Sequence, residues 1–163
     1  MIAYRIADAR HPIYDGTGAM LHGGRWNSVG QRVIYAAESY AGAMLEVLVH
    51  ANLSIPPKHH QVVRITIPDS IKVETLLPSQ LPFWDAEDVT EARSVGDRWL
   101  KEMRSAVLSV PSVVTEGREK NILINPLHPD FPRIIASIPE PVHWDHRLFG
   151  GRDVPSARGG APE

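Results

Sequence analysis

Cysteine is absent from the 163-residue chain, which excludes a disulfide framework and thiolate zinc sites and fits a reducing cytosol as the location. Long hydrophobic runs are also missing: no stretch approaches the length of a bilayer-spanning helix. The start, Met1-Ile2-Ala3-Tyr4-Arg5, lacks the basic and apolar regions of a signal peptide, so a soluble cytoplasmic protein without a membrane partner is expected. Excess charge of one sign is absent too. The formal net charge of -2 provides no global attraction to nucleic acid, and none of the usual nucleic-acid-binding motifs occurs. The common catalytic and nucleotide fingerprints fail as well: there is no GxGxxG, no P-loop lysine, no GxSxG elbow and no HExxH. Eight histidines are present, but His59-His60, His128 with Asp130, and His143 with Asp145 and His146 lack a recognised ligand spacing, and no metal site is expected.

What remains is an ordinary globular composition, 43% hydrophobic, enough for the core of one domain. Residues 2–6 read as a strand, and the polar, glycine-rich stretch 15–30 as a long loop of the kind that is often functional. Residues 32–37, with Val33, Ile34 and Tyr35 in a row, read as a buried strand ended by Ser39, a residue suited to cap a helix over 40–51. On that helix Ala41, Met44, Leu45, Leu48 and Val49 form the expected apolar stripe, with Glu46 and His50 one turn apart elsewhere. Alternation of Val63, Ile65 and Ile67 with Arg64 and Thr66 marks a strand over 61–67. Residues 88–105 read as a helix, with a capping box from Asp88 to Glu91 and Val95, Trp99 and Met103 facing the core. Short strands are expected at 106–110, 122–124 and 142–144, between proline turns. Strands and helices do not alternate strictly, which favours a single α+β domain over residues 1–149. From Gly150 onward the chain has no apolar periodicity and is expected to be a disordered tail.

Several side chains could carry chemistry, yet each taken alone has an ordinary structural reading. Arg25 follows two glycines, so a planar guanidinium that matches phosphate oxygens sits on a backbone able to approach a ligand closely; it also suits a surface ion pair. Glu46 reads equally as a solvated helix residue, Tyr35 as a core aromatic whose ring could stack on a planar ligand, and Ser112 as a turn residue after Pro111.

Together these residues fall into a pattern. Gly23-Gly24-Arg25-Trp26-Asn27, then Val33-Ile34-Tyr35-Ala36-Ala37-Glu38-Ser39 and Ala43-Met44-Leu45-Glu46-Val47-Leu48-Val49-His50, resemble the RES domain family. The resemblance continues through Pro111-Ser112 and Asn121-Ile122-Leu123-Ile124-Asn125-Pro126 to Arg147-Leu148-Phe149, almost the whole ordered chain. The arginine, glutamate and serine of the family name fall on Arg25, Glu46 and Ser112.

The resemblance implies a fold similar to ADP-ribosyltransferases of the diphtheria toxin type. It also implies the toxin of a bacterial type II toxin–antitoxin pair, which acts on NAD as substrate, needs no cofactor and is held in a hetero-oligomer by an antitoxin with an Xre-like helix-turn-helix region. NAD would be degraded by hydrolysis or phosphorolysis of its nicotinamide–ribose bond, or its ADP-ribose moved to a protein. In that reading Arg25 grips the pyrophosphate, Tyr35 stacks on nicotinamide or its ribose, and Glu46 stabilises the ribosyl cation. Ser112 bonds the amide or ribose, Arg5 is a second phosphate candidate, and Asn121 and Asn125 support the site. An RNA-cleaving toxin, since arginine, histidine and glutamate also serve phosphodiester chemistry, and a catalytically silent binding module are the rivals from other classes.

Overall fold

The computed structural model describes residues 1–51 and 56–149, so the expected tail from Gly150 lies outside the described residues. Eight strands form one sheet. They are β1 (Ile2–Asp8), β2 (Ile34–Ala37), β3 (His60–Thr66), β4 (Val73–Thr75), β5 (Val107–Pro111), β6 (Lys120–Ile124), β7 (Ile135–Ala136) and β8 (Glu140–Pro141). Their order is β4-β5-β6-β2-β1-β3-β7, with β8 also paired to β3. Pairing is antiparallel except between β4 and β5. Helices α1 (Thr17–His22), α2 (Tyr40–Ala51) and α3 (Thr90–Glu102) complete the domain. The expected α+β class is what the chain adopts.

The alternation read in the sequence settles the register of β3. Val63 and Ile65 are buried while Arg64 and Thr66 are exposed, and β3 pairs with β1 from Ile2 opposite Thr66 to Asp8 opposite His60. The centre of the sheet is covered on both faces, which is why β5 is buried at every position. One face gathers Ala3, Ile34, Val63, Ile65, Val107, Ile122 and Ile124. The other holds Val33, Leu108, Val110 and Leu123 with Trp99 and Leu100 of α3, and nearer β1 packs Ile6 and Ala37 against Ala43 of α2.

Five expectations from pattern alone are corrected. The stretch 15–30 is not loop throughout, because α1 forms inside it, ended by Gly23 at φ 70°. The buried side of α2 is only partly the expected stripe of Ala41, Met44, Leu45, Leu48 and Val49: Gly42 and Ala43 are buried and Met44 packs half-buried beside them, whereas Leu45 is 42% and Val49 62% exposed. On α3 the buried residues are Ala92, Gly96, Trp99 and Leu100, and Met103 terminates the helix at φ 50° instead of packing. No Asp88–Glu91 capping box forms there; Asp88 accepts hydrogen bonds from the Thr90 amide and hydroxyl, and the helix starts at Thr90. The last strand pairs at 140–141, not 142–144, since it is Glu140 and Pro141 that lie opposite Val62 and Gln61.

Candidate active site

Two arms of the chain face each other across a cavity of about 550 Å³, a size that suits a small organic ligand. One arm is the turn Gly23–Ser28. Its organiser is Asn27, with 0% exposure, whose side-chain amide donates to the carbonyls of Ala19 (2.8 Å) and Gln31 (2.9 Å), and at 3.2 Å to that of Ser28. The Asn27 Oδ1 accepts the Tyr35 hydroxyl at 2.7 Å, and that hydroxyl accepts the Trp26 amide at 3.1 Å. A buried turn must satisfy its backbone polar groups internally, and one asparagine satisfies several of them.

Helix α3 clamps the same turn from outside. Arg93 Nε donates to the Gly24 carbonyl (3.1 Å), and the Asp97 carboxylate accepts the Ser28 amide (2.8 Å) and hydroxyl (2.5 Å). Gly96 permits the contact: a Cβ there would lie 1.8 Å from the Trp26 carbonyl oxygen. A Cβ on Gly24 would lie 2.6 Å from the Tyr35 hydroxyl, so close approach accounts for that glycine as well.

Arg25 projects from this turn into the cavity wall. Its Nη1 donates to the carbonyls of Ala86 (2.7 Å) and Trp84 (3.1 Å), so part of the guanidinium fastens a distant loop while Nε and Nη2 make no hydrogen bond among the described residues. Arg5 is more fully committed. Its Nε donates to the Ile13 carbonyl and Nη1 to that of Tyr35 (2.7 Å), and burial lowers its pKa from the usual arginine value, opposed by nearby Asp15. Tyr35 also lines the cavity; burial raises its phenol pKa well above the ordinary value, against the Trp26 hydrogen bond, so the hydroxyl stays neutral.

The opposite arm is made of regular elements. Ser39 caps α2 as expected, accepting the Gly42 amide at 2.8 Å and donating to Glu119 at 2.7 Å, which sets where the helix begins. In the second turn of the helix, Glu46 points inward with 25% side-chain exposure. Its Oε1 accepts the Asn121 side-chain amide (2.7 Å) from β6 and the Ser112 hydroxyl (3.1 Å) just beyond β5. Oε2 accepts no hydrogen bond among the described residues, the nearest cation-forming atom being His50 Nδ1 at 3.8 Å. A carboxylate with one oxygen anchored twice and the other free is oriented for a ligand hydroxyl or a developing positive charge.

Of the residues expected at the site, Arg5, Arg25, Tyr35, Glu46 and Asn121 all line the cavity. Ser112 does not. It is 3% exposed and stands behind Glu46, where its hydroxyl donates to the carboxylate. Asn125 is not brought to the site at all, lying buried beyond β6 where its amide contacts Met103 Sδ (3.2 Å) and its Oδ1 accepts the Leu127 amide (3.0 Å). Asn27, Gly96 and Asp97 were missed. The polar Asn27 at the end of a glycine-rich turn was the one local signal available, whereas the α3 partners are some 70 residues away in sequence, with Ser28 and Asp97 separated by 69. No group of three His, Asp or Glu among the described residues could hold a metal ion.

Comparison with known proteins places this geometry in a family. A chain of the crystal structure of the M. tuberculosis MbcT–MbcA toxin–antitoxin complex superposes with a TM-score of 0.71 at 19% identity, covering 91% of this chain and 86% of that one, and so shares the fold. In sequence, the Prs ADP-ribosylating toxin of Sphingobium sp. (strain YBL2) is 44% identical over 90% of this chain and 95% of its own length. Toxin Res of Pseudomonas putida is 37% identical over 91% and 100%, and Toxin Res of Yersinia enterocolitica 36% over 91% and 99%. The RES domain model matches residues 2–145, and the chain therefore belongs to the RES domain family.

Proposed function

We propose that the chain is the enzymatic toxin of a toxin–antitoxin pair and that it acts on NAD by breaking the bond between nicotinamide and ribose. The observation that carries the reading is the pinned carboxylate of Glu46, with Oε2 free beside a cavity that also presents Arg25 and Tyr35. Each of the three sequence relatives above is named a toxin, and the Sphingobium one carries ADP-ribosylation in its name as well.

Nicotinamide bound as a pyridinium leaves as a neutral base, taking the electron pair of the C1′–N bond and leaving an oxocarbenium-like ribose. Glu46 Oε2 lies where it can accept a ribose hydroxyl and stabilise that positive charge, while Ser112 and Asn121 keep the carboxylate from turning away. Arg25 offers its Nε and Nη2 to pyrophosphate oxygens, with Nη1 anchored so that the fork enters already oriented. Arg5, held by backbone carbonyls, contributes positive potential to the cavity, and the Tyr35 ring supplies a face for nicotinamide or its ribose.

Two kinds of acceptor fit the same first step, which frees nicotinamide in either case: water or phosphate, which leaves free ADP-ribose or its 1-phosphate, and a protein side chain, which keeps the ADP-ribose. The name of the Sphingobium relative favours the second as the alternative. The partner is an antitoxin carrying an Xre-like helix-turn-helix region. Nicotinamide release from NAD by the purified protein, with and without phosphate, tests the reading, and labelled NAD in cell extract reports transfer to protein. No release and no transfer by folded protein sinks it; RNA cleavage with NAD intact favours the rival toxin class.

A further inference from the structure

His50 is untouched by the roles above, yet it lines the cavity one helical turn beyond Glu46. Its Nδ1 lies 2.7 Å from the Glu46 backbone carbonyl. A carbonyl oxygen only accepts, so in the neutral ring Nδ1 carries the proton and Nε2 is left with a free lone pair. The same Nδ1 is 3.8 Å from Glu46 Oε2, so the backbone carbonyl and the carboxylate of Glu46 both lie on that side of the ring. The imidazole is 77% exposed, so it stands at the rim of the cavity, next to Val49 and within reach of solvent.

Tautomer, position and exposure together describe a base on the acceptor side of the reaction. We propose that His50 is the general base that deprotonates the hydroxyl acceptor attacking the ribose; this rests on the NAD reading above. As the C1′–N bond breaks and its electron pair departs on neutral nicotinamide, a water oxygen forms the new bond to C1′. The water proton passes to His50 Nε2, and the imidazolium then returns it to solvent. Glu46 and His50 thereby divide the work on one helix: the carboxylate faces the cation and the imidazole faces the nucleophile.

The test compares NAD hydrolysis by the full chain and its His50→Asn variant, with His50→Gln as a second variant and circular dichroism as the check on folding. Loss of a general base is expected to slow nicotinamide release about 100-fold or more. Sodium azide, an anionic nucleophile with no proton to remove, restores release in the variants and yields the azide adduct of ADP-ribose, detectable by mass. Hydrolysis equal to wild type in the folded variants overturns the proposal, as does a loss that azide does not relieve. A wild-type protein that neither releases nicotinamide nor transfers ADP-ribose to protein in extract overturns the NAD reading itself, and the base with it.

Discussion

The two arms of the site are built on different principles. The carboxylate arm rests on secondary structure: α2 is capped by Ser39, and Glu46 is pinned by side chains on or just beyond two neighbouring strands. The arginine arm is an irregular turn that owes its shape to Asn27, Tyr35 and the clamp from α3. A helix-borne group is positioned by backbone geometry and needs few supports, whereas a turn must have each polar group satisfied by a particular partner. Damage to the carboxylate arm should therefore appear in turnover, and damage to the arginine arm in folding as well.

The largest effect expected is on the carboxylate side. Glu46→Gln keeps the shape but removes the charge, and should lower turnover by on the order of 100- to 1000-fold with little change in melting temperature, measured by nicotinamide release and thermal unfolding. On the other arm, Gly96→Ala forces a methyl group against the Trp26 carbonyl and should cost about 3 kcal/mol of stability, measured by denaturant unfolding. An unchanged midpoint would mean that α3 does not brace the turn. Asn121→Leu leaves Glu46 with the Ser112 hydroxyl alone, and a fall in kcat of about tenfold with KM unchanged is the signature of a loosened carboxylate.

Tyr35→Phe acts on the arginine arm from the sheet side. It removes the acceptor of the Trp26 amide and the donor to Asn27 Oδ1, with an expected loss of about 1–3 kcal/mol while the ring face toward the cavity survives. A pH series separates this from a general weakening. The folded-state pKa of Tyr35 lies above its unfolded value because burial favours the neutral phenol, so its contribution is complete below about pH 10 and is lost as pH rises further. Tyr14, whose pKa burial pushes up to about 12, adds to the same alkaline loss, which should be shallower in Tyr35→Phe. An identical alkaline profile in the variant would show that Tyr35 does not couple to folding.

Much of the fold was legible because its rules are local. The β3 alternation, the apolar β2 and the serine before α2 each follow from neighbouring residues, and the structure bears them out. The apolar pattern of α2 misled for a physical reason: the helix lies against a cavity as well as a core, so Ala43, Glu46, Val47, Val49 and His50 line the cavity while Leu45 stays exposed. Hydrophobic periodicity finds the face that meets a core, not the face that meets a ligand. Helix α1 escaped because its six residues lie within a glycine-rich stretch and bury none of their own side chains.

By itself the sequence determined the α+β class, the principal strands and the identity of the residues that could matter, since periodicity and residue chemistry are written along the chain. Only the tertiary structure decided what each of them does. It placed Ser112 behind Glu46 instead of in the cavity, sent Asn125 elsewhere, and divided Arg25 between a loop and the open site. The placements of Ser112 and Arg25 depend on contacts between residues 59 to 66 positions apart, and a hydrogen bond at such separation is set by how the sheet and helices close on one another, not by any local preference.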